Sequence, residues 1–128
     1  MANKRVLIVD DNREFLEELR ENLALSGYDL VAVHDPQEVL PAAVRSKPDV
    51  VLLDLKMPGK SGFQVADEMR RYFQLQNVPI IAMSAFFKDE YRLLMNMCGI
   101  KKCLKKPFNP LDVISEIESA LSEGEKRD

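Results

Sequence analysis

Short apolar runs alternate with amphipathic stretches along most of this chain. Five of the runs have the length and composition of β-strands, and they cover Arg5–Val9, Tyr28–Val33, Val50–Leu53, Ile80–Met83 and Lys102–Lys105. Runs that are this short and this apolar are typical of strands buried on both faces of a parallel sheet. The fifth run is more polar than the others, which is typical of a strand at the edge of a sheet.

The stretches between and after these runs predict five helices. The first follows Asn12, which can cap its N-terminus. Its apolar stripe is formed by Phe15, Leu16, Leu19 and Leu23. The fourth and fifth helices are predicted over Lys88–Met97 and Pro110–Gly124. The packing face of the fifth consists of Leu111, Ile114, Ile117 and Leu121.

Proline complicates the start of the second helix. The segment that begins at Asp35 resembles a helix start, with Pro36 at the first helical position. Pro41 follows soon afterwards, and a proline inside a helix costs ~3 kcal/mol. The second helix is therefore predicted to be kinked, or to begin late at Pro41.

The third helix is predicted over Ser61–Phe73. It opens with a Ser-x-x-Gln capping box formed by Ser61 and Gln64. The side chains expected to pack in the core are Phe63, Ala66, Met69, Tyr72 and Phe73.

The regular alternation of strand and helix predicts an α/β fold. A parallel sheet with right-handed crossovers carries helices on both of its faces. The chain of 128 residues has no internal repeats, low-complexity tracts or linkers, which predicts one domain. We expect this domain to cover residues 1–124, and residues 125–128 to form a short frayed tail.

Composition narrows the classes of function. The 18 basic and 21 acidic residues leave a net charge of −3, which gives no general attraction to nucleic acid or to anionic membranes. No apolar run approaches the length of a membrane span, and no signal peptide is expected before the first strand. Cys98 and Cys103 lack the spacing of a metal site, so reduced thiols in a cytoplasmic protein are expected. P-loop and dinucleotide-binding motifs are absent from the sequence.

Polar residues follow four of the predicted strands: Asp10-Asp11, Asp54, Ser84 and Lys106. Because the carboxyl ends of parallel strands meet at one edge of a sheet, we expect these side chains to converge. Clustered carboxylates repel one another, and Mg²⁺ is a hard cation that suits oxygen ligands of this kind. A carboxylate nucleophile, Mg²⁺, an ammonium group and a hydroxyl are the parts needed for phosphoryl transfer onto Asp54.

These residues occur in four motifs whose order is informative. Val-Leu-Ile-Val precedes Asp10-Asp11, and Asp54 lies in Leu-Leu-Asp-Leu-Lys-Met-Pro-Gly-Lys-Ser-Gly. Ser84-Ala85 follows the fourth strand, and Lys106-Pro107-Phe108 follows the fifth. With all four in this order, the chain resembles the receiver domain of two-component response regulators (the CheY-like superfamily) over essentially its full length. The resemblance implies a flavodoxin-like, doubly wound sheet of five parallel strands in the order 2-1-3-4-5, with five helices.

The resemblance also implies roles for the reactive residues. Asp54 would accept a phosphoryl group from a phosphohistidine on a histidine kinase or a histidine phosphotransfer protein. Lys106 would pair with the phosphoryl oxygens, and Ser84 would move toward them. The peptide bond between Lys106 and Pro107 is expected to be cis.

A Mg²⁺ site is implied in the same way. Asp11, Asp54 and the backbone carbonyl of Lys56 would ligate the ion, and Asp10 would assist through water. Lys56 lies two residues after Asp54, and Phe86 lies two residues after Ser84. We hypothesise that Lys56 and Phe86 partly cover the acyl phosphate and set its lifetime.

The chain departs from the family pattern near its expected switch surface, which includes Cys103 and Tyr91. Cys103 stands three residues before Lys106, where the family commonly has Tyr or Phe. Ile100 occupies the usual position of an alanine after Gly99. The inward swing of an aromatic ring at Cys103 is therefore not available as a signal readout.

The leading interpretation is a phosphorylation-controlled binding switch, which is not an enzyme acting on a separate metabolite. Its output would be another protein or an effector domain outside this sequence, without direct contact to nucleic acid or membrane. A phosphorelay intermediate, a stand-alone regulator that binds through its fourth helix and a piece of a transcription factor all stay open.

The alternative from another class is an aspartate-nucleophile phosphohydrolase of α/β fold. Such enzymes have an Asp-x-Asp pattern after the first strand, whereas here Asp10 and Asp11 are adjacent. Taken singly, the motifs also have ordinary explanations: Asp10-Asp11 as a helix-capping loop, Asp54 as a turn former and Lys106 as part of a solvated charge run. A receiver that has lost phosphorylation is a third option, although every acceptor-site group is retained.

Overall fold

One sheet of five parallel strands forms the centre of the molecule in the computed structural model, which describes residues 3–125. The strands are β1 (Arg5–Val9), β2 (Asp29–Val33), β3 (Val50–Asp54), β4 (Ile80–Ser84) and β5 (Lys102–Lys105). They lie in the order β2-β1-β3-β4-β5, and every neighbouring pair is parallel. The predicted fold class and the strand order implied by the resemblance are confirmed.

The helices are α1 (Arg13–Ala24), α2 (Val39–Ser46), α3 (Gly62–Arg70), α4 (Glu90–Met97) and α5 (Pro110–Glu125). Single 3₁₀ turns precede α2 and β4. Side chains of α1 and α5 pack on one face of the sheet, and those of α2, α3 and α4 pack on the other. Among these described helices, none combines the length and the apolar character that crossing a bilayer requires.

The central strand β3 contributes to both cores. Val51 and Leu53 pack toward α2, α3 and α4, whereas Val50 and Leu52 pack toward α1 and α5. All four side chains are inaccessible to solvent. Because alternate residues of a strand point to opposite faces, a strand covered on both sides needs an unbroken apolar run. That run ends at Asp54, which places a carboxylate at the edge of the buried region.

Helix α3 begins directly against the end of β3. The predicted capping box is confirmed, since the backbone N of Gln64 donates to Ser61 Oγ at 3.3 Å and the backbone N of Ser61 donates to Gln64 Oε1 at 2.8 Å. A Cβ atom at Gly62 would lie 2.3 Å from the backbone oxygen of Asp54. A side chain at Gly62 would therefore push the helix away from the strand end that carries Asp54.

The prediction for the second helix is wrong in detail. A 3₁₀ turn at Pro36–Glu38 leads into α2, which begins at Val39 rather than at Pro41. Pro41 consequently lies in the first turn of α2, where a backbone N–H has no partner within the helix. The proline removes no hydrogen bond there, so the helix tolerates it.

The predicted end of the third helix is also wrong. Helix α3 ends at Arg70, and the Phe73 ring is 85% exposed instead of packed in the core. The Arg70 guanidinium donates to the backbone oxygens of Leu75, Gln76 and Val78. These hydrogen bonds stabilise a loop directly after the helix, which the apolar pattern alone does not indicate.

The last helix continues beyond its predicted end. Gly124 lies within α5, which reaches Glu125, because a glycine costs only about 1 kcal/mol in a helix and does not by itself end one. Leu111 is exposed, and the buried positions of α5 include Val113 and Ile117. Residues 126–128 of the predicted tail lie outside the described residues.

Candidate functional site

The carboxyl ends of four strands bring the polar residues together. Asp10 and Asp11 follow β1, and Asp54 is the last residue of β3. One carboxylate oxygen from each of these three residues lies within 4.8 Å of the others. Asp10 and Asp54 are buried, whereas Asp11 is exposed. The predicted convergence of three acids is present in the structure.

Lys106 reaches the same site from the end of β5. Its Nζ lies 2.5 Å from Asp10 Oδ2 and 3.6 Å from Asp54 Oδ1. Its backbone N donates to the carbonyl oxygen of Ser84 at 2.8 Å, which aligns the residue after β5 with the end of β4. The peptide bond between Lys106 and Pro107 is cis, as expected. One ammonium group therefore faces two buried carboxylates.

Both carboxylate oxygens of Asp10 have partners. The backbone N of Asn12 donates to Oδ1 at 2.9 Å, and Lys106 Nζ donates to Oδ2. Asn12 in turn caps α1, since its side chain accepts a hydrogen bond from the backbone N of Phe15. Asp10 thus joins the start of α1 to Lys106 through its two carboxylate oxygens.

Burial dominates the electrostatics of Asp54. Loss of solvation and the neighbouring charge of Asp10 raise its pKa to about 7, against the opposing effect of Lys106. This net value also includes a hydrogen bond with Asp11, which raises the pKa, and one from the backbone N–H of Lys56, which lowers it. The group is only 6% exposed, so the repulsion between the acids is poorly screened by water. A cation bound among the acids would relieve that repulsion.

The stability of the metal-free protein should depend on pH through Asp54. Its folded-state pKa of about 7 lies above the ordinary value of 3.8, so the folded state favours the protonated form. The contribution to stability is fully present below about pH 4 and is lost as the pH rises through 7. Because the protonation of Asp54 is coupled to the charges of Asp10 and Lys106, we expect a loss of about 2 kcal/mol in the free energy of unfolding.

Urea unfolding in EDTA, at several pH values from about 4 to 8, measures this dependence. The same curve for Asp54→Asn is the control, because the amide does not titrate while every other group is kept. The difference between the two proteins should change with pH in the stated direction. Parallel curves would contradict the raised pKa.

Ser84 lies at the site but faces the following loop. Its Oγ donates to the backbone oxygen of Phe86 at 2.9 Å, and the residue is buried. The Phe86 ring is 76% exposed, and Lys56 is exposed as well. The hydroxyl is therefore held by the loop between β4 and α4, whereas the two candidate modulating side chains are exposed to solvent.

The candidate switch surface is an aromatic cluster rather than one ring. Tyr91 on α4 packs edge-on against Phe63 at 5.3 Å and against Phe87 at 6.0 Å between ring centroids. Cys103 is partly buried against the same core. Phe87 was not among the residues predicted from the sequence, because a single aromatic residue in a loop carries no periodic signal.

Phe15 is a second residue whose place at the site was missed. The sequence analysis assigned it to the apolar stripe of α1, whereas its ring lies 4.2 Å from Lys106 Nζ, measured to the ring centroid. One signal in the sequence could have indicated this contact: Phe15 lies in the first turn of the helix that follows Asp10-Asp11.

The order of the five parallel strands, with three acids and a lysine at one sheet edge, matches the receiver architecture that the sequence motifs resemble. The chain belongs to the response regulator receiver domain family, whose family model, described as "Response regulator receiver domain", matches residues 6–118. It is a receiver domain of the two-component response regulators.

Two curated relatives illustrate the similarity. The chain is 32% identical over 123 residues to the alkaline phosphatase synthesis transcriptional regulatory protein PhoP of Bacillus subtilis (strain 168), covering 96% of this chain and 50% of the relative. It is 29% identical over 121 residues to the phosphate regulon transcriptional regulatory protein PhoB of Pseudomonas aeruginosa, covering 94% and 53%. The chain spans about half the length of these relatives.

Solved structures show the same fold. The chemotaxis protein CheY4 of Vibrio cholerae has a TM-score of 0.90 at 28% identity, covering 94% of this chain and 100% of that one. A CheY-like receiver domain protein from Methanospirillum hungatei JF-1 has a TM-score of 0.92 at 25% identity, covering 98% and 99%.

Proposed function

We propose that Asp54 accepts a phosphoryl group in a Mg²⁺-dependent reaction and thereby switches the binding of a partner protein. The observation that carries this proposal is the meeting of three carboxylates with the ammonium group of Lys106 at the end of the sheet. The donor would be a phosphohistidine on a histidine kinase or a histidine phosphotransfer protein. The two curated relatives are transcriptional regulatory proteins that are longer than this chain, which supports an output through a further domain or partner.

The transfer is a displacement at phosphorus. A carboxylate oxygen of Asp54 forms a bond to the phosphorus atom while the bond between phosphorus and the imidazole nitrogen breaks. The nitrogen keeps that electron pair, and the ring, protonated at its other nitrogen, leaves as neutral imidazole. Lys106 Nζ, already 3.6 Å from Asp54 Oδ1, compensates negative charge on the phosphoryl oxygens. Ser84 Oγ would exchange its hydrogen bond to the Phe86 carbonyl for one to a phosphoryl oxygen.

The donor set fits Mg²⁺. Carboxylate and carbonyl oxygens are its preferred protein ligands, and the crowding of three acids gives a cation a direct stabilising role. Asp11, Asp54 and the backbone carbonyl of Lys56 would hold the ion, with Asp10 assisting through water. When bound, the ion supplies charge neutralisation for the incoming phosphoryl group.

Phosphorylation would work as a switch rather than as turnover of a metabolite. A phosphoryl group adds about −1.5 to −2 charges at neutral pH. By drawing Ser84 away from Phe86, it would change the loop that leads into α4 and the cluster around Tyr91 and Cys103. We propose that residues 1–124 act as this switch in the cytoplasm, without touching nucleic acid themselves.

Incubation with Mg²⁺ and acetyl phosphate tests the function. We expect intact-protein mass spectrometry to show a gain of one phosphoryl group, and EDTA to abolish it. Release of phosphate from a soluble phosphoester without any stable adduct would overturn the proposal in favour of the phosphohydrolase alternative.

The lifetime of the acyl phosphate should depend on Lys56 and Phe86. Lys56 follows Asp54 by two residues, Phe86 follows Ser84 by two, and both side chains are exposed, so we expect them to shield the acyl phosphate partly from water. Lys56→Asn and Phe86→Glu should each shorten the lifetime about fivefold, the equivalent of roughly 1 kcal/mol in the hydrolysis barrier. Loss of the phosphoryl group is timed by mass spectrometry after removal of acetyl phosphate.

Phe73→Glu is the matched control for the second variant. Phe73 is also highly exposed, but it lies before β4, whereas Phe86 follows β4 at the site. Its lifetime should equal that of the parent protein. Unchanged lifetimes in Lys56→Asn and Phe86→Glu would show that neither side chain covers the acyl phosphate.

A further inference from the structure

The ammonium group of Lys106 has an aromatic ring as its third neighbour. Nζ lies 2.5 Å from Asp10 Oδ2, 3.6 Å from Asp54 Oδ1 and 4.2 Å from the centroid of the Phe15 ring. A cation over a ring face within about 6 Å is attracted by the negative π surface, more strongly where water is excluded. The Lys106 side chain is only 18% exposed, so this contact operates in a poorly solvated place.

The Phe15 ring is held in position from two directions. Phe108 meets it edge-on, with ring centroids 5.7 Å apart and planes inclined by 79°. On the backbone side, the N–H of Phe15 donates to Asn12 Oδ1 at 3.1 Å, and the N–H of Asn12 donates to Asp10 Oδ1 at 2.9 Å. The ring, the Asp10 carboxylate and the ammonium group are therefore parts of one closed set of contacts.

This set has a consequence for the direction of the Lys106 side chain. Asp10 alone could hold the ammonium group while it turned toward solvent, because a single hydrogen bond leaves rotation free. The ring of Phe15, whose centroid lies 4.2 Å from Nζ, opposes that rotation, because an ammonium group that turned toward solvent would lose the cation–π attraction.

We propose that Phe15 is a positioning residue for phosphoryl transfer, which keeps the ammonium group of Lys106 directed at Asp54 through cation–π contact. The inference rests on the proposed function of Asp54 as acceptor. In this proposal Phe15 acts on the transfer only through the position of Lys106.

Graded substitution of the ring tests the proposal. Phe15→Leu should lower the rate of adduct formation with acetyl phosphate about fivefold, within the range expected for a cation–π contact of roughly 1 kcal/mol. Phe15→Tyr should restore most of the rate. Mono-, di- and trifluorinated phenylalanine at position 15 should lower it progressively, because fluorine weakens the negative ring face while the shape is nearly kept.

Tyr28→Leu is the control, since it removes a partly buried ring packed on the same face of the sheet as Phe15, next to the start of β2 and therefore at the opposite end of the strands from the site. Its rate should match that of the parent protein. A fluorine series without a trend, or a loss in Phe15→Leu that Phe15→Tyr does not restore, would reduce Phe15 to a packing residue and overturn the proposal.

A readout without phosphorylation separates this inference from the proposed function. In ¹⁵N-lysine-labelled protein, ring current should shift the ammonium proton signal of Lys106 upfield, and Phe15→Leu should remove the shift. If the shift is present but no adduct forms, the proposed function fails while the contact stands. If adduct forms and the shift is missing, the contact fails while the proposed function stands.

Discussion

Asp54→Asn should abolish the phosphoryl adduct that Mg²⁺ and acetyl phosphate produce. The amide lacks the anionic oxygen that must attack phosphorus, whereas its size and its ability to accept hydrogen bonds are nearly unchanged. We expect the initial rate to fall at least about a hundredfold, the equivalent of roughly 3 kcal/mol in the barrier. Intact-mass spectrometry during the first minutes of reaction measures the rate.

Asp49→Asn provides the control, because it makes the same substitution at the opposite end of strand β3. Asp49 directly precedes β3, and its carboxylate accepts from the backbone N of Arg5, which an asparagine oxygen can also do. The rate for this variant should be unchanged. An undiminished adduct in Asp54→Asn, mapped by peptide analysis to another carboxylate, would remove Asp54 from the central role.

Lys106→Met should destabilise the metal-free protein more than any other substitution considered for the site. Asp10 is fully buried, and the methionine would leave its carboxylate without a counter-charge. Breaking a buried ion pair by removing one partner typically costs about 3–5 kcal/mol. We expect a loss of about 3 kcal/mol in the free energy of unfolding, measured by urea titration in EDTA at neutral pH.

A double-mutant cycle separates this effect from general packing. Asp10→Asn combined with Lys106→Met removes both charges, so the double variant should recover about 2 kcal/mol relative to Lys106→Met alone. Lys105→Met, an exposed neighbour, should change stability by less than about 0.5 kcal/mol. Asp10→Asn alone completes the cycle, and an equal effect of Asp10→Asn in the parent protein and in Lys106→Met would show that Asp10 and Lys106 are not energetically coupled.

Much of the fold could be predicted because the signals are local. Val50–Leu53 is a strand buried on both faces. Its four successive apolar residues predict this from the local sequence, without information from the rest of the chain. The capping box at Ser61 and Gln64 likewise acts over one helical turn. The ends of the helices were less predictable. Arg70 hydrogen-bonds to a loop beyond the end of α3. Pro41 is tolerated because α2 begins at Val39, after a 3₁₀ turn, so that the proline lies in the first turn of the helix.

The convergence of the acids could also be predicted, but only as a rule about parallel sheets. In such a sheet the carboxyl ends of all strands lie at one edge, so Asp10, Asp54 and Lys106, which follow or end strands, were expected to lie close together. That rule does not predict the distances between these groups. Nor does it predict that Ser84 faces Phe86 or that the ring of Phe15 lies over Lys106. These depend on how helices from separate crossovers pack, which no local pattern contains.

The amino-acid sequence by itself determined which residues form strands, which strand ends carry charge and which family the motifs resemble, because each of these depends on neighbours along the chain. Only the tertiary structure decided that Lys106 is paired with Asp10, 96 residues away, and that burial raises the pKa of Asp54 to about 7. The physical reason is that Coulombic and solvation energies depend on distance and burial in space, which folding alone establishes.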